Sequence, residues 1–257
     1  MKISVRTDYL FERASVSDQI KLAKDAGADA VEFGEMKGYN CSLAAATAAQ
    51  LNIPFLACGF YDMWKCRLGD DFKQIEKNLL KTVVCAKTLG CKFLLGLTIN
   101  DPSRDERHKQ QFIENMKPVV EILEKNDLVV LLEPHNTILP NPVFDFSAYF
   151  VNTIAMGSEL VHRIGSSSVQ LLFDVYHAQI MAGNLSETIR AAFPVIAHYH
   201  FSGVPGRDEP MKGEVQYKNL AEDILELGYS GYFGLEYFPT YNAQRSLADT
   251  ITYLKHP

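Results

Sequence analysis

The chain has 257 residues, 47% hydrophobic and 22% charged, an ordinary globular composition and enough chain for one α/β barrel. Its net charge is −6 with acids and bases interspersed, so no basic stripe is offered to nucleic acid. No apolar run nears the ~20 residues of a membrane span, and the N-terminus MKISVRTDYLFER lacks the apolar core of a signal peptide. The five cysteines (Cys41, Cys58, Cys66, Cys85, Cys91) form no CxxC pair and read as reduced thiols, which makes a cytoplasmic protein the expectation.

Lys2–Arg6 alternates as a short strand, and a loop is expected from Asp8. Ser15 and Asp18 have the spacing of an N-capping pair, Ile20, Ala23 and Ala26 give a helix face, and Gly27 is a natural stop. Ala30–Phe33 is a second strand ending near Glu32. CSLAAATAAQ reads as a helix, and IPFLACGF as a strand bounded by Pro54 and Gly59. In Phe72–Leu89 the apolar residues repeat at three and four until Gly90, a helix by pattern. KFLLGLT is the fourth strand. The next helix covers roughly 105–125, with Pro118 implying a kink or a break. LVVLLEP, VQLLFDVYH, AHYHF and GYFGLEYFP are the fifth to eighth strands. Helices are expected through Leu160 to Ile164, over 183–193 and over 217–227.

Eight strands alternating with helices, in short apolar runs suited to burial on both faces, predict a single-domain (β/α)₈ barrel over 1–257. A doubly wound sheet would carry a Gly-rich phosphate turn after its first strand, and none is present.

Barrel chemistry sits at the C-terminal ends of strands. In order, those ends offer Glu32, Cys58, Thr98, Glu133, Asp174, His200 and Glu236. Glu133, Asp174 and Glu236 each close an apolar run, and converging buried carboxylates repel one another unless a cation lies between them. Together with His200 they predict a site for one divalent ion, with Mn²⁺ or Mg²⁺ ahead of Co²⁺ or Zn²⁺. Beyond His200, the segment SGVPGRDEPMKGE is dense in turn residues and charge, as a binding rim would be, and Arg207 is expected to reach toward substrate. His177 is a candidate substrate donor. His135 reads as either a substrate donor or a structural residue, the structural reading favoured. Glu32 is expected to line the mouth without a role, and Phe60 and Trp64 are candidate pocket walls.

LLEPHN, FDVYHAQ, HYHFSGVPGRDEP, KGEVQY and GYSGYFGLEYFP together resemble the hydroxypyruvate isomerase branch of the xylose isomerase-like TIM barrels, a group that includes the D-tagatose 3-epimerase-like ketose epimerases. The resemblance is strongest over 129–239. It implies that Glu133, Asp174, His200 and Glu236 bind the metal, that Glu133 and Glu236 form an acid/base pair, and that His177 and Arg207 hold substrate oxygens. Two departures stand out. Hydroxypyruvate isomerases tend to have Gln where this chain has His200, and the acidic residue that follows the EP-x-N motif in relatives is absent after Asn136.

The reaction this implies is proton transfer beside a carbonyl through a cis-enediolate. Returning the proton to the neighbouring carbon isomerises, and returning it to the other face epimerises. A small hydroxy-oxo acid or a ketose is the implied substrate, with ketose 3-epimerase as the alternative. A dehydratase and an endonuclease IV-like hydrolase are lesser ones. Homo-oligomers are left open by the sequence.

Overall fold

A computed structural model describes residues 1–139 and 145–255. In chain order it has β1 (Lys2–Arg6), α1 (Thr7–Leu10), α2 (Val16–Asp25), β2 (Ala30–Phe33), α3 (Cys41–Gln50), β3 (Phe55–Gly59), α4 (Phe72–Leu89), β4 (Phe93–Gly96), α5 (Glu106–Lys125) and β5 (Val129–Leu132). Next come α6 (Ile154–Ile164), β6 (Val169–Asp174), α7 (Val175–Met181), α8 (Leu185–Ala192), β7 (Ile196–Phe201), α9 (Tyr217–Glu226), β8 (Tyr232–Leu235) and α10 (Ala243–Lys255). The strands pair in parallel in sequence order, and β8 closes on β1, giving the (β/α)₈ barrel.

Local chemistry sets the helix ends. Ser15, Asn40, Asp71, Asp105 and Thr153 each cap a helix N-terminus with a side-chain oxygen, and Gly90 and Gly165 end helices in the left-handed region. Five points need correction. Pro118 does not divide α5, which runs unbroken from Glu106 to Lys125. Thr7–Leu10 is a short helix rather than loop, and α10, whose buried face is Leu247, Thr250, Ile251 and Leu254, was not anticipated. The sixth strand stops at Asp174, because that side chain accepts the Tyr176 N–H and starts α7. Finally, Cys41 and Cys85 are joined in a disulfide, their Cα atoms 5.7 Å apart, so the cysteines are not all free thiols. Their separation of 44 positions in sequence hides a proximity that α3 creates by packing on α4.

Strand alternation and the registers place Ser4, Arg6, Glu32, Ala57, Phe93, Leu95, Val129, Leu131, Leu172, Asp174, His198, His200 and Gly234 on the barrel's inner face. The interior is divided. Ala57, Leu95, Val129, Leu131 and Leu172 form an apolar cluster on β3–β6. Glu32, His198 and His200 fill the side of β7, β8, β1 and β2, all fully buried. Gly234 makes room for them: a Cβ there would lie 2.5 Å from His200 Cδ2 and 2.9 Å from Glu32 Oε1.

The rim after β7 is held from below. Gly203 N–H bonds Asp208 O, Arg207 N–H bonds Gly203 O, and Arg207 takes a left-handed φ of 52°. Glu209, fully buried, accepts hydrogen bonds from Thr240 N–H and from the Ser246 hydroxyl of α10 at 2.8 Å. Burial would raise its carboxyl, but these donors bring it down to about 2.

Gly234→Ala is expected to destabilise the protein by about 1–3 kcal/mol through overpacking, read from denaturant unfolding. Glu209 has a folded value below its ordinary 4.5, so the stability it adds is complete above that pH and fades as pH falls toward 2. Glu209→Gln should therefore be less stable at neutral pH, and the gap to wild type should shrink across that acid window.

Candidate active site

Glu133 directly follows β5, Asp174 ends β6, His200 is next to last in β7, and Glu236 directly follows β8. Four consecutive strands thus deliver one donor each to the same end of the barrel. Ligand atoms of all four lie within 4.8 Å of one another, and all four side chains are buried. Asp174 divides its oxygens: Oδ1 caps α7 through Tyr176 N–H at 2.8 Å, while Oδ2 faces the cluster and Arg207 at 3.4 Å.

Two guanidinium groups hold Glu236. Arg6 Nη1 donates to Oε1 and Arg207 Nη2 to Oε2, both at 2.6 Å. Burial would raise Glu236, but Arg6 and Arg207 outweigh it and keep the carboxyl well below its usual range. Asp174 has only one distant guanidinium and two like-charged neighbours, and burial lifts it to about 7. His200 is pushed the other way from an ordinary buried imidazole: burial opposes its charge, yet Glu32 and Glu236 raise it to about 10. Glu133 falls below its ordinary value, where His135 offsets the cost of burial.

His177 lies one helical turn after Asp174. Its Nδ1 accepts the Asn136 backbone N–H at 3.0 Å, so in the neutral ring the proton sits on Nε2. Arg207 Nη1 is 3.0 Å from that Nε2. Two donors facing each other across this distance are unsatisfied as a pair, and an oxygen acceptor placed against both would satisfy them. Burial, His135 and Arg207 together hold His177 well below its usual value, in the neutral form. The same tautomer argues against a second metal on Glu133, His135 and His177, although those three also cluster: a protonated Nε2 has no lone pair for an ion.

A cavity of about 280 Å³ opens onto the site, lined by Arg6, Tyr9, Trp64, Glu133, His135 and Glu236 among others. His135 is therefore on the cavity wall, with Nε2 3.2 Å from Glu133 Oε2 and Nδ1 buried without a partner among the described residues. Trp64 lines the cavity as expected, whereas Phe60 is fully buried core. Cys58 and Thr98 stay out of the cluster: Cys58 is a buried thiol against Cys91, and Thr98 Oγ1 accepts the Val151 N–H. Arg6 was missed. The one signal was a charged residue closing the first apolar strand, on the strand that closes the barrel against β8.

The donor set fits a divalent ion. Among the described residues Glu133 Oε1 is buried without a hydrogen-bond partner, as a lone pair open to a ligand would be, and His200 Nδ1 has only the long contact to Glu236 Oε2 at 3.4 Å. Three carboxylates and one imidazole suit a hard to borderline cation.

Residues 20–256 match the xylose isomerase-like TIM barrel family. The chain is 30% identical to the Xenopus laevis protein named "Putative hydroxypyruvate isomerase", over 100% of this chain and 97% of that one. It is 29% identical to the hydroxypyruvate isomerase of Escherichia coli K12 over 68% of this chain and 66% of the relative. Among solved structures it resembles an AP endonuclease, family 2, from Brucella melitensis, with TM-score 0.88 at 25% identity over 98% of both chains. A D-psicose 3-epimerase from Clostridium cellulolyticum H10 shares the fold, with TM-score 0.81 at 18% identity over 99% of this chain and 98% of that one. The chain belongs to the xylose isomerase-like TIM barrel family, with named isomerases among its relatives and a buried Glu/His cluster able to hold a metal ion.

Proposed function

We propose that this single-domain barrel is a metal-dependent isomerase of a small hydroxy-oxo acid, hydroxypyruvate or a close analogue, with Glu133 and Glu236 as its acid/base pair. The observation that carries the reading is that both glutamates line one cavity while Asp174 and His200 stand within ligand distance of each. The names of the isomerase relatives support the same reaction class.

Glu133, Asp174, His200 and Glu236 would hold the ion, Mn²⁺ or Mg²⁺ by donor chemistry. When bound, it polarises the substrate carbonyl and offsets the negative charge that develops as the neighbouring C–H proton leaves. One glutamate takes that proton and the other returns one to the adjacent carbon, passing through a cis-enediolate. Arg207 and His177 Nε2–H bind a substrate oxygen at the point where their donors now face each other. Arg207, with its planar fork, would pair with the substrate carboxylate. The cavity wall of Tyr9, Trp64 and His135 would limit the space for water around the reacting carbons.

A ketose 3-epimerase is the second reading, favoured by His200 standing where hydroxypyruvate isomerases tend to have Gln. It needs the same residues and differs in where the proton returns.

The decisive experiment follows deuterium uptake from D₂O by NMR, with hydroxypyruvate and with a panel of free ketoses. Metal-dependent exchange beside the carbonyl with a new isomer of hydroxypyruvate is the expected result, abolished by EDTA and restored by Mn²⁺. Exchange with ketoses alone would transfer the assignment to epimerisation. No exchange in protein shown to hold metal would overturn both. Glu133→Gln and Glu236→Gln, with metal retained, should each fall below about a tenth of wild-type turnover, since acid–base groups contribute roughly 10²–10⁴-fold.

A further inference from the structure

Glu32 was left without a role by the sequence, and it is not at the cavity. It lies fully buried in the polar half of the barrel interior. Its two oxygens are shared between two imidazoles: Oε1 is 3.0 Å from His198 Nε2 and Oε2 is 3.0 Å from His200 Nε2. A carboxylate flanked in this way accepts from both rings, so the Nε2 nitrogens carry the protons. In the neutral ring, the form that can ligate an ion, His200 Nδ1 is then the unprotonated nitrogen. Among the described residues that atom makes no hydrogen bond beyond a 3.4 Å contact with Glu236 Oε2, and it lies among the donor atoms of Glu133, Asp174 and Glu236.

We propose that Glu32 is the positioning residue of the metal site, fixing the His200 ring and its tautomer so that the Nδ1 lone pair is presented to the ion. The proposal rests on His200 being a metal ligand, as in the function proposed above. Three features of the fold serve the same end. His198 takes the second Glu32 oxygen and stacks on Phe93 with ring centroids 6.4 Å apart, so the carboxylate cannot rotate away from His200. Gly234 on β8 leaves the space that the three side chains occupy. Glu32 and the two histidines are all fully buried, so water does not compete for these bonds. Carboxylates behind metal-bound histidines typically account for 10–100-fold in metal affinity.

The amide in Glu32→Gln makes the test specific. Gln offers one acceptor and one donor, so one of the two rings must present a bare Nε2 and carry its proton on Nδ1. For His198 that proton would be buried without an acceptor, because its Nδ1 has no partner among the described residues. For His200 it would find Glu236 Oε2 at 3.4 Å. The change therefore falls on His200, and it protonates the nitrogen that faces the metal.

The experiment has two parts. In wild-type protein loaded with Mg²⁺, long-range ¹H–¹⁵N NMR of the histidines should show His200 protonated on Nε2, with slow solvent exchange. Mn²⁺ affinity, measured by calorimetry on wild type and on Glu32→Gln, should fall by about 10–100-fold in the variant, with its melting temperature in EDTA recorded as the check on folding. His200 protonated on Nδ1 in the Mg²⁺-loaded wild type overturns the proposal, whether or not the variant folds. A folded variant that binds Mn²⁺ within about twofold of wild type overturns it as well, and leaves the isomerase reading intact. Wild type that binds neither ion overturns the proposal together with the metal-site reading beneath it.

Discussion

Three largely buried carboxylates within ligand distance of one another, beside a cavity, are the constraint on which this molecule turns. Buried like charges cost several kcal/mol each unless compensated. The barrel supplies compensation from three directions. Arg6 rises from β1, Arg207 folds in from the rim after β7, and His200 stands between them. The imbalance that remains is visible in Asp174, whose carboxyl is held near 7 by burial and by Glu133 and Glu236. A divalent cation answers that imbalance better than any side chain present.

Most of the fold could be read from the chain because its signals are local. Helix α4 is written in a repeat at three and four closed by Gly90, and Ser15 and Asp18 announce α2 from three residues apart. The ends of β5, β6, β7 and β8 gave the four clustered side chains for the same reason: an acid or an imidazole closing an apolar run is a local pattern. What escaped depends on closure or on competition. Arg6 meets Glu236 across 230 positions, and Glu32 meets His200 across 168, contacts that exist only once the barrel is closed. Val175–His177 looks like strand by composition, but the Asp174 cap wins and turns the backbone. Pro118 looks like a breaker, yet α5 continues through it, its face of Phe112, Met116, Val119 and Leu123 buried on both sides of the proline. The Cys41–Cys85 pair was hidden because neither helix signals its neighbour.

The family fixes less than the fold suggests. Named isomerases, epimerases and an AP endonuclease share this barrel, and a shared scaffold says little about the reaction it carries. What distinguishes chemistries on it is the set of donors around the cluster. Here a neutral His177 and a guanidinium converge on one point beside two glutamates, which is the feature that supports the isomerase reading proposed above.

The contact between Arg6 and Glu236 also ties the site to the order in which the chain is made. Arg6 belongs to the first strand and Glu236 follows the last, and the two meet only where β1 and β8 zip together. Until that seam closes, Arg6 lacks Glu236 and the cluster lacks one of its carboxylates. A nascent chain emerging from the ribosome therefore has no complete pocket to load. An ion held by this cluster, as proposed above, would have to follow closure of the whole ring rather than the folding of any one of its segments.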